Sequence, residues 1–198
     1  MPEAQPAEAD RTGCLVLVVG PSGSGKDSLI AEARKVLSGD PRFHFPQRVI
    51  TREPDATEGH EPVSEAEFEQ RLEAGGFLLH WRAHGLSYAI PAETADYLAR
   101  GACVIANVSR TIIAEACRTF PNVRVVHVTA NPEVLRGRLE SRQREDAADR
   151  NARLRRAPDM DVPAECHADE IANNGQLIEA AKRFNALISG YAQSATRE

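Results

Sequence analysis

No apolar run in the 198-residue chain approaches the roughly 20 residues a bilayer span needs, which excludes a helical membrane protein. The first ten residues carry Glu3, Glu8 and Asp10 and no basic side chain. A secretory leader wants a positive start and then an apolar stretch, so export is not expected and the cytoplasm is. The four cysteines (Cys14, Cys103, Cys117, Cys166) stand far apart with no CxxC pair, so neither a zinc site nor a disulfide framework is expected. Cys14 and Cys103 lie in apolar runs and read as small buried hydrophobes. The net charge of −5 argues against non-specific nucleic-acid binding by the molecule as a whole. With 42% apolar and 27% charged residues, the balance is that of a folded domain rather than a disordered chain.

Lysine is scarce, at three residues, and the positive charge that exists is concentrated. Between Arg136 and Arg156 eight arginines stand against four acids, so this stretch is +4 and the remainder −9. Arginine makes planar, two-pronged contacts to phosphate that lysine cannot. The segment therefore points to a phosphate ligand.

Residues 1–11 are small, polar and acidic and read as a disordered tail, leaving 12–198 as a single domain. Cys14–Val19 is a continuous apolar run rich in branched residues, the pattern of a strand buried on both faces. Leu29, Ile30, Ala33 and Leu37 space a helix over Lys26–Leu37. A second strand is expected at Gln47–Thr51, and turns over Arg52–Pro62. Ser64 and Glu67 suit a capping box, with Val63 and Phe68 as a staple, so a helix should run to about Ala74 and stop at Gly75-Gly76. Phe77–Arg82 and Leu86–Ile90 read as short strands. Pro91 should open a helix that ends near Gly101. Ala102–Asn107 and Val123–Val128 are further strands, Ser109 and Asn131-Pro132 are helix starts, Ile171–Asn173 is a short last strand, and Leu177–Tyr191 is a closing helix. Strands alternating with helices give an α/β fold, a parallel sheet covered by helices on both faces.

Gly20-Pro21-Ser22-Gly23-Ser24-Gly25-Lys26 is a G-x-x-x-x-G-K loop set between an apolar strand and a helix, the context its chemistry requires. Glycines let successive N–H groups turn inward around phosphate oxygens, and the helix adds its positive end. Lys26 reaches the outer phosphates of ATP. The next position departs from the usual motif, for Asp27 and Ser28 stand where Ser or Thr normally offers a hydroxyl to Mg²⁺. A carboxylate beside polyphosphate is costly unless a cation lies between them, so Asp27 or Ser28 is the expected Mg²⁺ ligand. Asp27 as a plain helix-start acid is the alternative.

Arg138 and Arg142 share a helical face, and Arg153 follows on a second segment. Short arginine-bearing helices hinged over a phosphate loop make a lid, expected at about 138–157, that neutralises charge on a transferring phosphoryl group. Between the second strand and Pro91, an acceptor-binding insertion at about 52–90 gathers Arg52, His60, His80, Trp81, Arg82, His84 and Tyr88. Trp81 suits the core as well as a ligand. The Ala102 strand ends on Asn107, where many phosphoryl-transfer enzymes of this layout place a carboxylate. A hydroxyl acceptor needs a general base, whereas a phosphate acceptor is already anionic, so the acceptor is expected to be a phosphate. Glu58, Glu61 and His84 stay open as bases.

Over roughly Leu15–Ile188 the chain resembles the guanylate-kinase-like P-loop kinases. The likeness is carried by the GPSGSGK loop, Thr51-Arg52, the Tyr88 strand, Arg138-Leu-x-x-x-Arg142 to Arg153-Leu154, and Asn173-Asn174-Gly175. GPSGSGKDSL, VITRE, Glu58-Gly59-His60, His80–Pro91 and Asn107-x-Ser-Arg110 further resemble the ribose 1,5-bisphosphate phosphokinases of bacterial phosphonate utilisation. That resemblance implies ATP-dependent phosphorylation of a sugar bisphosphate on its C1 phosphate to give 5-phosphoribosyl 1-diphosphate, with Mg²⁺. It implies catalytic roles for Lys26, Arg138, Arg142 and Arg153 and acceptor contacts from Arg52, His60, His84 and Tyr88. It also places Asn173 and Gly175 near the adenine. Guanylate kinases carry a second acceptor arginine where this chain has Asp55, an acid where it has Asn107, and Lys-Ser-Thr where it has Lys-Asp-Ser, so a guanine-reading site looks dismantled. Another nucleoside monophosphate kinase, or a non-catalytic binding module of the same fold, are the alternatives. ATP and a small sugar phosphate are the expected partners, with no nucleic acid or membrane, and the assembly state stays open, a homodimer included.

Overall fold

A computed structural model describes residues 12–52, 59–141, 162–164 and 166–194. The apolar run forms β1 (Cys14–Val19), with all six residues buried. It is central in a five-stranded parallel sheet with β2 (Phe43–His44), β7 (Cys103–Asn107), β8 (Val123–Thr129) and β9 (His167–Ala172), in the order β2-β7-β1-β8-β9. Between them run α1 (Lys26–Leu37), α3 (Thr94–Ala99), α4 (Ile113–Thr119) and α5 (Pro132–Ser141), and α6 (Leu177–Ser194) follows β9.

Period-two alternation divides the core by face. Cys14, Val16 and Val18 pack with Leu29, Ile30 and Ala33 of α1 and with Ala180, Phe184 and Ile188 of α6. Leu15, Leu17 and Val19 meet Ile113 and Ala116 of α4, and also Leu79, Trp81 and Ile90 from outside the sheet. Each such fully buried aliphatic side chain contributes about 1.5–3 kcal/mol. Trp81, 7% exposed, belongs to this core.

The outside residues come from a second sheet of four strands: β3 (Arg48–Ile50), β4 (His60–Pro62), β5 (Phe77–Ala83) and β6 (Leu86–Pro91), in the order β4-β3-β6-β5. β5 and β6 form an antiparallel hairpin whose two-residue turn, His84-Gly85, takes the left-handed backbone at both positions (φ 54° and 74°). Helix α2 (Glu65–Glu73) buries Phe68 against Val49 and Ala89 of this sheet and against Val63 just beyond β4. Its start is as expected: the Ser64 hydroxyl accepts from the Glu67 N–H at 3.2 Å, and Val63 and Phe68 share one cluster.

Four local expectations need correction. His60–Pro62, read as turn, is a strand parallel to β3, because tertiary pairing outweighs the local turn composition. Pro91 ends β6 instead of opening a helix; it pairs with Phe77, and α3 starts only at Thr94. The last strand starts four residues earlier than expected, at His167, as it pairs with β8 over six positions. Cys117 and Cys166 are joined by a disulfide, with a Cα–Cα distance of 6.1 Å across a sequence separation of 49. Short-range spacing carries no trace of it. Helix α4 leads into β8, and β8 pairs with β9 from Arg124↔His167 onward, which brings Cys166 to the end of α4.

Candidate active site

The loop between β1 and α1 is held from three sides. Gly20 (φ 149°), Gly23 (φ 82°) and Gly25 (φ 91°) use backbone conformations that side chains disfavour, and space forbids a side chain as well. A Cβ on Gly20 would lie 2.2 Å from the Val128 carbonyl oxygen, and one on Gly25 2.4 Å from Asn173 Nδ2. Lys26 folds back over the loop, its ammonium donating to the Gly20 and Pro21 carbonyls at 2.7 and 3.0 Å. Asn173, just beyond β9 and buried, donates from Nδ2 to the Ser24 carbonyl at 2.8 Å. Arg138, on α5, donates from Nη1 toward the Gly23 and Ser24 carbonyls at 3.4 Å each.

At the head of α1 the Asp27 carboxylate is oriented by two donors, both on Oδ1. Asn107 Nδ2, at the end of β7, lies 2.5 Å away, and Arg48 Nη2, at the start of β3, lies 3.3 Å away. The β1–β7 register sets Asn107 opposite Val18, two residues before Gly20, so the end of β7 opens beside the loop. Arg48 belongs to the second sheet, which makes this cluster the junction between the phosphate loop and that sheet. Ser28 is half-buried beside Asp27.

The structure thus brings Gly20–Ser28, Arg138 and Asn173 together. Asn174 Oδ1 accepts from the Asn131 N–H at 2.6 Å, tying the turn after β9 to the start of α5, and a Cβ on Gly175 would meet nothing within 4 Å. Arg142, Arg153, Asp55 and Glu58 lie outside the described residues.

On the acceptor side the residues are more dispersed. The Thr51 hydroxyl accepts from the Ser87 N–H at 2.8 Å, and the Thr51 N–H donates to the Ser87 carbonyl at 3.0 Å, which sets Arg52 at the hairpin-turn end of the second sheet. Tyr88 stacks on Trp81 with centroids 5.5 Å apart, and His84 is exposed at the turn. His60 is buried, and neither of its ring nitrogens has a hydrogen-bond partner among the described residues. His80 is exposed, and Arg82 is a latch to α2, paired with Glu69 at 2.5 Å and Glu65 at 3.1 Å. Glu61 is engaged by Arg71 at 2.6 Å.

Sequence reasoning gave Arg48 and His127 no place beside the loop and named Arg110 only within the Asn107-x-Ser-Arg110 motif. His127, on β8 opposite Val19, has its pKa lowered chiefly by burial, opposed by Glu170 and reinforced by the charges of Arg110 and Lys26. Arg110 and Lys26 therefore act on one locality, although 84 positions separate them in the chain. The alternation of a strand marks Arg48 and His127 as off-core positions, but nothing in the sequence says which strand ends meet.

A glycine-rich loop at the carboxyl end of a parallel sheet, with Arg138 against its carbonyls and a second sheet beside it, is the arrangement of the guanylate-kinase-like fold. Guanylate kinase from Anaplasma phagocytophilum superposes with a TM-score of 0.62 at 18% identity, covering 90% of this chain and 86% of that one. A sugar kinase from Janibacter sp. follows at a TM-score of 0.52 and 15% identity, covering 89% and 95%. No protein-family model matches the chain. Full-length relatives do: ribose 1,5-bisphosphate phosphokinase PhnN of Acidiphilium cryptum is 52% identical over 86% of this chain and 89% of its own length. The Methylobacterium radiotolerans and Rhizobium etli proteins of that name are 47% and 42% identical, over 88% and 95% of this chain and 96% and 95% of theirs. The chain belongs to the ribose 1,5-bisphosphate phosphokinase PhnN family.

Proposed function

We propose that this chain transfers the γ-phosphoryl group of ATP to the C1 phosphate of ribose 1,5-bisphosphate, giving 5-phosphoribosyl 1-diphosphate and ADP. The observation that carries the proposal is the 52% identity over 86% of the chain to a phosphokinase of that name. In the reaction an oxygen of the C1 phosphate bonds to the γ-phosphorus while the bond from the γ-phosphorus to the β–γ bridging oxygen breaks. The acceptor oxygen is anionic from the start, so no proton has to be removed, and the neutral Asn107 at the end of β7 fits that requirement.

The loop Gly20, Pro21, Ser22, Gly23, Ser24, Gly25 and Lys26 cradles the triphosphate with its N–H groups and ammonium. Lys26, Arg138, Arg142 and Arg153 neutralise charge that shifts toward the bridging oxygen. Arg52, His60, His84 and Tyr88 hold the sugar bisphosphate. The buried, unpartnered ring nitrogens of His60 favour this role, because buried polar groups seldom stay unsatisfied and a phosphate oxygen would satisfy them. Asn173 and Gly175 lie by the adenine side of the loop.

The donor set fits Mg²⁺. Asp27 and Ser28 are hard oxygen donors, and Asp27 is 52% exposed at the head of α1. No cluster of three metal-ligating side chains exists among the described residues. Asp27 and Ser28 would hold Mg²⁺, which would supply positive charge against that of the triphosphate. No helix among the described residues is long and apolar enough to cross a membrane, and the proposed setting is phosphonate utilisation in the cytoplasm.

An acceptor panel tests the proposal. With ATP and Mg²⁺, ribose 1,5-bisphosphate should release ADP in a coupled assay while GMP and AMP do not. Strong turnover of GMP would move the chain to the nucleoside monophosphate kinases. Absence of ATP binding would make it a binding module.

A further inference from the structure

In phosphate-loop enzymes the residue after the loop lysine is ordinarily a hydroxyl donor to Mg²⁺, and a strand beside the loop ends on an acid. Here the two chemistries have changed places. The acid, Asp27, stands at the head of α1, and the neutral side chain, Asn107, ends β7. Their side chains touch: Asn107 Nδ2 donates to Asp27 Oδ1 at 2.5 Å, and Arg48 Nη2 reaches the same oxygen at 3.3 Å. Among the described residues no hydrogen bond reaches Asp27 Oδ2. A carboxylate half-exposed at the start of a helix would otherwise sample several rotamers. Two donors on one of its oxygens select a single orientation and leave the second oxygen open.

We propose that Asn107 is a positioning residue: with Arg48, it fixes the Asp27 carboxylate so that Oδ2 is presented to the cation accompanying ATP. The proposal rests on the kinase reading above. The exchange keeps one negative charge at the loop, as the usual arrangement does, but sets it on the helix. The strand end beside the second sheet is left neutral. An anionic acceptor approaching from that sheet then meets a carboxamide and Arg48 at the strand end instead of a carboxylate, and like charges that close repel strongly. Arg48, with a side chain only 19% exposed, is screened little by solvent and sharpens the preference.

The test is calorimetric titration of the full-length protein with a non-hydrolysable ATP analogue, once with Mg²⁺ and once with EDTA. The ratio of the two affinities is the Mg²⁺ enhancement. Asn107→Ala, which keeps the charge and removes the orientation, should cut the enhancement about tenfold, as loss of an outer-shell partner does, while the EDTA affinity stays at the wild-type level. Asp27→Asn, at an exposed site that tolerates change and still accepts from Asn107, should cut it at least as far. The double variant Asp27→Ser with Asn107→Asp, which returns the acid to the strand, should regain more of the enhancement than Asp27→Ser alone. An unchanged enhancement in Asn107→Ala, or equal losses with Mg²⁺ and with EDTA, would overturn the positioning role. Wild-type protein that fails to bind the analogue under either condition would instead overturn the kinase reading, and the positioning role with it.

Discussion

Gly25 and Asn173 are 148 positions apart in the chain, yet each determines what the other is allowed to be. Gly25→Ala places a methyl group at φ 91°, which costs about 1–2 kcal/mol in the left-handed region. The same methyl lands 2.4 Å from Asn173 Nδ2, so the carboxamide must leave and its 2.8 Å bond to the Ser24 carbonyl is lost. Breaking a bond to a buried acceptor costs about 1–3 kcal/mol. Gly25→Ala should therefore lower stability by about 2–5 kcal/mol and Asn173→Ala by about 1–3 kcal/mol. In the double variant the Asn173 bond is lost only once. It should cost no more than Gly25→Ala alone, a coupling of about 1–3 kcal/mol, inside the range seen for residues in contact. Urea denaturation of the four proteins at constant disulfide state measures the cycle. Additive losses would show that Asn173 does not anchor the loop through Ser24, and would remove it from the account of how the phosphate cradle is held.

Lys26→Ala should leave the fold intact and lower phosphoryl transfer by about 10³ or more, followed through coupled ADP release; comparable turnover would dismiss the loop as the reaction centre. Reducing the Cys117–Cys166 bond should lower stability by about 4 kcal/mol at this sequence separation, read as a drop in melting temperature with reductant that Cys117→Ser abolishes. His44 stacks on Tyr97 with centroids 3.6 Å apart, and its pKa is lowered by burial and by the charge of Arg34, opposed by Glu93. The folded pKa lies below the 6.5 of the unfolded chain, so the unfolded state takes the proton first and stability falls as pH drops through 6.5. His44→Phe keeps the stack and should flatten that fall, leaving the share that half-buried His127 contributes in the same direction.

What the sequence made legible was mostly what one segment settles for itself. β1 is a branched apolar run with no polar face, and it occupies the sheet centre, buried on both sides. The Gly20–Lys26 loop and the Ser64 cap each carry their physics within a few residues. Long-range pairing is a different matter. His60–Pro62 is composed like a turn and becomes a strand only because β3 offers it a parallel partner. Cys117 and Cys166 are unremarkable 49 positions apart until β8 and β9 pair. Arg48 looks like the polar face of a short strand, and its importance emerges only where the start of β3, the end of β7 and the head of α1 meet. Trp81 suits core and ligand alike and His80 sits in a strand pattern that favours burial; alternation along β5 settles both, the indole facing the core and the imidazole facing solvent.

The most direct measurement follows the acceptor phosphorus itself. In ³¹P spectra of the protein with ATP, Mg²⁺ and ribose 1,5-bisphosphate, the C1 monoester signal should give way to a coupled pair from a C1 diphosphate, as the triphosphate becomes diphosphate and the C5 signal persists. An untouched C1 signal, whether ATP is spent or not, would contradict the account.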